Sequence, residues 1–207
     1  MIFHSPHADV DIPGGRYDEL VLAQAAGRGE RAAFVDGTNG RALSFAQVAE
    51  GVQRVAAALA QRGFGRGAVL AIVLPNVPEY VLAFHGTLRA GGVVTTANPL
   101  YTAGELTHPL ALTRAAFVVT APAFVDKVRV AAQGTAVREI FVVGQAPGAT
   151  PFEVLLQDSG PPPEVAIDPA RDLAVLPFSS GTSGRPKAVM LTHRNLVAIT
   201  RQVEGAA

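Results

Sequence analysis

The 207-residue sequence predicts an α/β fold, a largely parallel sheet flanked by helices, and three observations carry that prediction. Short β-branched and aliphatic runs alternate with segments whose apolar residues recur at spacings of three and four. Capping-box patterns open two of the helical segments, and glycines punctuate their ends. The resulting order is strand, helix, strand, helix. Consecutive strands joined through a helix must cross over rather than turn back, so neighbours run parallel.

Ser44 to Gln47, SFAQ, is the first capping box, and Phe45, Val48, Val52, Val55 and Leu59 then place one apolar stripe on a helix. Gly63 to Gly67 stops it, and Val69 to Leu74 suits a buried strand. The segment Gly63 to Ala68, GFGRGA, satisfies G-x-G-x-x-A, yet it follows a helix and precedes a strand. That is the reverse of a dinucleotide-binding turn, so it reads as a helix stop. Asn76 and Glu79 begin a second helix, to about Leu88; Gly91 and Gly92 end it before a strand at Val93 to Ala97. Thr102 with Glu105 forms another capping box. The helix after it contains Pro109, which is expected to kink or shorten it, at a cost of roughly 3 kcal/mol if interior. Strands are expected at Ala116 to Thr120 and Glu139 to Val143, with a helix between them. Gly160 ends this layer, and Pro161 to Pro163 form a stiff connector. The expected division is therefore residues 1–160, an α/β subdomain, and residues 161–207, holding the connector, a hairpin around a polar loop and the start of a further subdomain.

Composition narrows the partners. At 49% hydrophobic and 16% charged, the chain can bury a substantial core. Its 17 basic and 17 acidic residues cancel with no long like-charge run, which argues against nucleic acid and acidic membranes as partners. Without cysteine there are no disulfides and no thiol nucleophile. The longest apolar run, Ala68 to Pro75, is too short for a membrane span, and MIFHSPHADVD lacks the basic start and apolar stretch of a signal peptide. A soluble cytoplasmic protein is expected.

Chemistry concentrates in Ser179 to Lys187, SSGTSGRPK, set between two apolar runs. Gly181 and Gly184 allow backbone N–H groups to converge on an anion. Ser179, Ser180, Thr182 and Ser183 add four hydroxyl donors, and Lys187 adds a mobile charge. The residues alone leave two readings open, a phosphate cradle or a long hairpin connection. They exclude two others. A Walker A loop needs glycine before the lysine and serine or threonine after it, where this chain has Pro186 and Ala188. A nucleophile elbow fails because Arg185 stands where the last glycine belongs.

Elsewhere the candidates read as structure. His4 and His7 have metal-like spacing without a third ligand, His85 lies on an apolar helix face, and His108 reads as a surface residue. His193, in Thr192 to Asn195, THRN, stands where a helix begins, and capping or packing outweighs catalysis there. Asn98 and Tyr101 read as turn and packing residues; Glu79, Glu105 and Asp126 read as helix-start or helix-face charges.

The stretch from Asp172 through Asn195, DLAVLPFSSGTSGRPKAVMLTHRN, closely resembles the signature of the acyl-adenylate-forming enzymes, a group that includes acyl-CoA synthetases, firefly luciferase and peptide-synthetase adenylation domains. One branch is resembled in particular. LPNVPE at Leu74 to Glu79, VLAF at Val81 to Phe84, VTTANPLY at Val94 to Tyr101, TAGEL at Thr102 to Leu106 and FVDKV at Phe124 to Val128 are similar to plant and actinobacterial 4-coumarate:CoA ligases. The resemblance implies the N-terminal part of the large domain of such enzymes. It also implies a two-step ligase, in which a carboxylate attacks the α-phosphate of MgATP and coenzyme A then displaces AMP to give a thioester. Carried over by position, Ser179, Ser180, Gly181, Thr182, Ser183, Gly184 and Lys187 would hold the β- and γ-phosphates, with Lys187 the catalytic candidate and no metal ligand among them.

Two departures matter. Ser183 replaces a usual threonine and keeps its hydroxyl, while Ala188 replaces a usual glycine after the lysine, which bears on how Lys187 is aimed. Members of the family are more than twice this length, so the chain reads as an N-terminal fragment. The fragment is expected to be inactive alone, its adenine, ribose, acyl and coenzyme A sites and its remaining partner lying in the missing C-terminal part. The acid is expected to be 4-coumarate-like, or another aryl or fatty acid. An alternative is a complete non-catalytic module that binds a phosphate ligand or a protein. A serine-dependent amidase using Ser179, Ser180 or Ser183 lacks an identifiable base.

Overall fold

The computed structural model describes residues 9–25, 27–157, 160–179 and 186–206. Helix α1 (Tyr17–Ala23) precedes a hairpin of β1 (Ala32–Val35) and β2 (Ala42–Ser44), after which α2 (Phe45–Gln61) leads into β3 (Val69–Val73). The chain continues through α3 (Pro78–Arg89), β4 (Val93–Thr96), α4 (Ala103–Thr113), β5 (Phe117–Thr120), α5 (Val125–Ala132) and β6 (Glu139–Val142). Strands β7 (Thr150–Pro151), β8 (Leu173–Leu176), β9 (Phe178–Ser179), β10 (Lys187–Ala188) and β11 (Leu191–Thr192) follow, and α6 (His193–Ala206) comes last.

The central sheet runs in the order β11-β8-β4-β3-β5-β6-β7, and all its pairings are parallel except that of β11 with β8. Its direction of growth explains its layers. Helix α3 carries the chain from β3 to β4 on one side, and α4 carries it back past β3 to β5 on the other. Crossovers of one hand then put α3 and α4 on opposite faces. The cores show this: Leu70 and Ile72 of β3 pack with Leu82 and Leu88 of α3 and with Val52 and Val55 of α2. The alternate residues Val69, Ala71 and Val73 pack with Leu106 and Leu110 of α4 and with Val128 of α5. Being buried on both faces, β3 needs an unbroken apolar run, which VLAIV supplies.

Both expected capping boxes are present, Ser44 with Gln47 and Thr102 with Glu105. Gly91, at φ +80°, makes the turn out of α3, and Gly92 is a close approach, since a Cβ there would lie 2.2 Å from the Phe64 ring. Pro109 neither ends nor shortens α4, which continues to Thr113. The carbonyl that its missing N–H would have engaged belongs to the exposed Glu105, where water can satisfy it, while the proline ring lies on the buried face with Leu106 and Leu110.

The layer does not close at Gly160. Strands β8 and β11, from beyond the proline connector, extend the same sheet past β4, so both sides of the expected boundary share one sheet. Helix α1 and the β1–β2 hairpin are additions that periodicity did not reveal. Val35 is 62% exposed, and a strand without a buried face has no alternation to read, although the turn sequence DGTNG marks the spot.

Candidate phosphate-binding hairpin

Strand β8 lies against β4, with Val94 opposite Val175 and Thr95 opposite Leu176. The Thr95 hydroxyl donates to the Leu176 carbonyl at 2.8 Å, which fixes the strand end where the polar loop departs. After Pro177, β9 and β10 form an antiparallel pair, Ser179 opposite Lys187 and Phe178 opposite Ala188, and Val189 N–H donates to Pro177 O at 2.8 Å. Ser179 and Lys187 are both exposed and face each other across the hairpin mouth. The other loop residues named from the sequence, Ser180, Gly181, Thr182, Ser183 and Gly184, lie outside the described residues, as does Arg185.

Ala188 belongs to β10, and among the described non-glycine residues only Arg114 has a positive φ, at 54°. Alanine is therefore unstrained where the resembled family has glycine. The apolar run AVMLT after Lys187 holds the end of β10 and all of β11, with Val189 and Met190 exposed between them. Strand β11 then pairs with β8, and Thr192 and Asn195 cap α6 reciprocally: Thr192 N–H donates to Asn195 Oδ1 at 2.9 Å and Asn195 N–H to Thr192 Oγ1 at 3.3 Å. His193 is fully buried beside this cap, its Nδ1 accepting from Tyr17 N–H at 3.2 Å. Burial lowers its pKa, with the nearby Asp18 carboxylate opposing.

A cleft of about 900 Å³ opens at the carboxyl ends of β3, β4 and β8, lined among others by Asn76 and Tyr80, by Thr96 and Asn98, and by Phe178 and Pro186. Open α/β sheets hold ligands at this end of their strands. Burial raises the pKa of Tyr80, and a hydrogen bond with the Thr96 side chain opposes it. A second cleft of about 570 Å³ is lined by Lys187, Met190, Leu112 and Leu173. His108 and Pro186 line both.

His108 is thus more than the surface residue the sequence suggested. It is half-buried, with Nε2 3.1 Å from Pro186 O. Helical spacing was the available signal: Gly104, Glu105, His108 and Ala111 form the cleft face of α4, opposite the buried Leu106 and Leu110. Asn98 and Tyr101 do form a turn, Asn98 Oδ1 accepting from Leu100 N–H at 2.9 Å. Glu105 caps α4, and the Thr102 backbone N–H and hydroxyl lower its pKa. Glu79, by contrast, is buried and ion-paired with Arg41 of the N-terminal hairpin at 2.5 Å. Asp126 pairs with Arg129 on the surface. His85 packs in the core between Tyr17 and Phe84, and burial pushes its pKa down to about 4. His4 and His7 lie outside the described residues.

Among the described residues no cluster of three or more His, Cys, Asp or Glu could hold a metal, and no helix is long and apolar enough to cross a membrane. The described part of the site therefore offers hydroxyl and ammonium donors, without a metal-ligand set.

Comparison with known proteins extends this picture. A family model described as AMP-binding enzyme matches residues 21–207. The 4-coumarate–CoA ligase 5 of Oryza sativa subsp. japonica is 42% identical over 98% of this chain and 38% of its own length. The 4-coumarate–CoA ligase 2 of Petroselinum crispum is 35% identical over 99% of this chain and 38% of its own. The chain thus spans about 38% of the length of these relatives. Among solved structures, a long-chain-fatty-acid–CoA ligase from Archaeoglobus fulgidus superposes with a TM-score of 0.83 at 26% identity, over 99% of this chain and 42% of that one.

Proposed function

The chain belongs to the AMP-binding enzyme family, and we propose that it forms part of an ATP-dependent carboxylate:CoA ligase that makes an acyl-adenylate and then an acyl-CoA thioester. The substrate carboxylate oxygen bonds to the α-phosphorus of ATP as the bond to the bridging oxygen breaks, releasing pyrophosphate. The sulfur of coenzyme A then attacks the acyl carbonyl, AMP leaves, and the thiol proton is lost. One observation carries the reading: in a chain of this family, Ser179 and Lys187 face each other at a hairpin mouth beside the carboxyl ends of β4 and β8.

In this reading Ser179, Ser180, Gly181, Thr182, Ser183, Gly184 and Lys187 hold the β- and γ-phosphates. Their contribution is orientation of the leaving group and neutralisation of the charge it gains. Magnesium, when bound with ATP, supplies part of the same neutralisation; the described residues are assigned no ligand to it. The acid is proposed to be 4-coumarate-like, in keeping with the relatives' names, with fatty acids as the other class to assay.

Carboxylate-dependent exchange of pyrophosphate into ATP by the full-length protein tests the proposal. A panel of hydroxycinnamates and fatty acids should contain at least one acid that drives exchange and yields a CoA thioester. No exchange with any acid would sink the reading. Residues 1–207 alone are expected to give none, because a loop that touches only phosphates cannot supply binding for the whole nucleotide.

A further inference from the structure

The mouth of the hairpin is gripped by a side chain from another layer of the fold. His108, on α4, places Nε2 3.1 Å from the carbonyl oxygen of Pro186, and its ring meets the Phe178 ring edge to face at 6.1 Å and 71°. Phe178 is on the outgoing strand and Pro186 directly precedes the return strand. One imidazole therefore bridges both sides. A proline carbonyl can only accept, so His108 Nε2 is the donor and carries the proton.

The geometry of the peptide bond gives this contact its consequence. Pro186 O and Lys187 N–H belong to one planar unit, and the proline ring already fixes φ of Pro186. Holding the oxygen fixes the remaining rotation of that unit. It thereby places the Lys187 N–Cα bond, the axis from which φ of Lys187 and the strand pairing then set the direction of the side chain. The β9–β10 pairing spans two residues per strand, too short to impose that direction by itself.

We infer that His108 is a positioning residue for Lys187, acting through the Pro186 carbonyl. The inference rests on the ligase reading only for what Lys187 then does; the restraint itself is independent of it. A ring that merely filled space would need no donor, which makes the two roles separable.

Two substitutions in the full-length protein separate them. His108→Phe keeps a ring against Phe178 and removes the donor, whereas His108→Gln removes the ring and keeps an N–H donor. The first readout is limited trypsin cleavage after Lys187 without substrate, scored by mass spectrometry relative to cleavage after the exposed Arg171, so that general loosening cancels. Relative cleavage is expected to rise about tenfold in His108→Phe and to stay within about twofold of the parent in His108→Gln. The second readout is pyrophosphate exchange: kcat should fall about tenfold in His108→Phe with KM for ATP within about twofold, and His108→Gln should recover most of the loss.

Equal cleavage in the parent and His108→Phe, or equal acceleration in both variants, overturns the inference. If the parent shows no exchange but cleavage still distinguishes Phe from Gln, the ligase reading fails and the positioning role stands. If exchange is present and neither readout responds to either variant, the ligase reading stands and the positioning role fails.

Discussion

The imidazole of His193, first residue of α6, accepts a hydrogen bond at Nδ1 from the backbone N–H of Tyr17, first residue of α1, over 3.2 Å. The donor is one of the N–H groups that a helix start leaves without an intrahelical partner. A histidine just beyond the β9–β10 hairpin thus ties the N-terminal helix to the last helix, α6. Because Nδ1 accepts, the neutral ring carries its proton on Nε2, which is buried and has no partner among the described residues.

His193→Ala should destabilise the fold by about 2–3 kcal/mol, since it opens a cavity and strands the Tyr17 donor. His193→Asn, whose Oδ1 can stand where Nδ1 stood, should recover about 1 kcal/mol of that. Urea denaturation of both variants checks the order. Equal losses would show that volume alone matters here.

Acid should weaken the fold through its buried histidines. Burial pushes His85 down to about 4 against an ordinary value of 6.5, with Asp18 opposing, and burial also lowers His193. The unfolded chain therefore binds more protons between these two values, so stability is fully present above about 6.5 and falls as pH drops toward 4. For His85 the loss by pH 5 should be about 2 kcal/mol. Denaturation at pH 7.5 and pH 5 should show a smaller gap for His85→Phe than for the parent; an unchanged gap assigns the acid sensitivity elsewhere.

Ala188 lies in β10 without a positive φ, so Ala188→Gly gains no relief of strain and adds freedom to the unfolded chain. A loss of roughly 0.4–1 kcal/mol is expected. A thermal melt that moved upward instead would contradict the strand geometry at this position.

Lys187→Ala in the full-length protein should slow adenylation on the order of 10²-fold or more, if its ammonium neutralises charge on departing pyrophosphate. Thioester formation from a supplied acyl-adenylate should suffer less. Measuring the half-reactions separately decides the matter, because equal losses in both would make this lysine structural.

Local chemistry determined what the sequence could say alone. The capping pairs Ser44–Gln47 and Thr102–Glu105, the apolar run VLAIV and the glycine stops at Gly63 and Gly91 are signals within a few residues, and each became the element expected of it. The reading of Ser179 to Lys187 rests on the same kind of local signal, hydroxyl, glycine and lysine residues written consecutively, and of these the structure describes Ser179, Pro186 and Lys187. Tertiary structure decided what depends on distant partners. Pro109 sits inside an unbroken helix because the neighbouring exposed turn leaves its orphan carbonyl open to water and because Leu106 and Leu110 bury its ring face. Glu79 became a buried ion-pair member through Arg41, 38 positions earlier in the chain, and His108 met Pro186 across 78. No local pattern encodes such meetings, because they follow from which face of the sheet each crossover covers and how the strands are ordered within it.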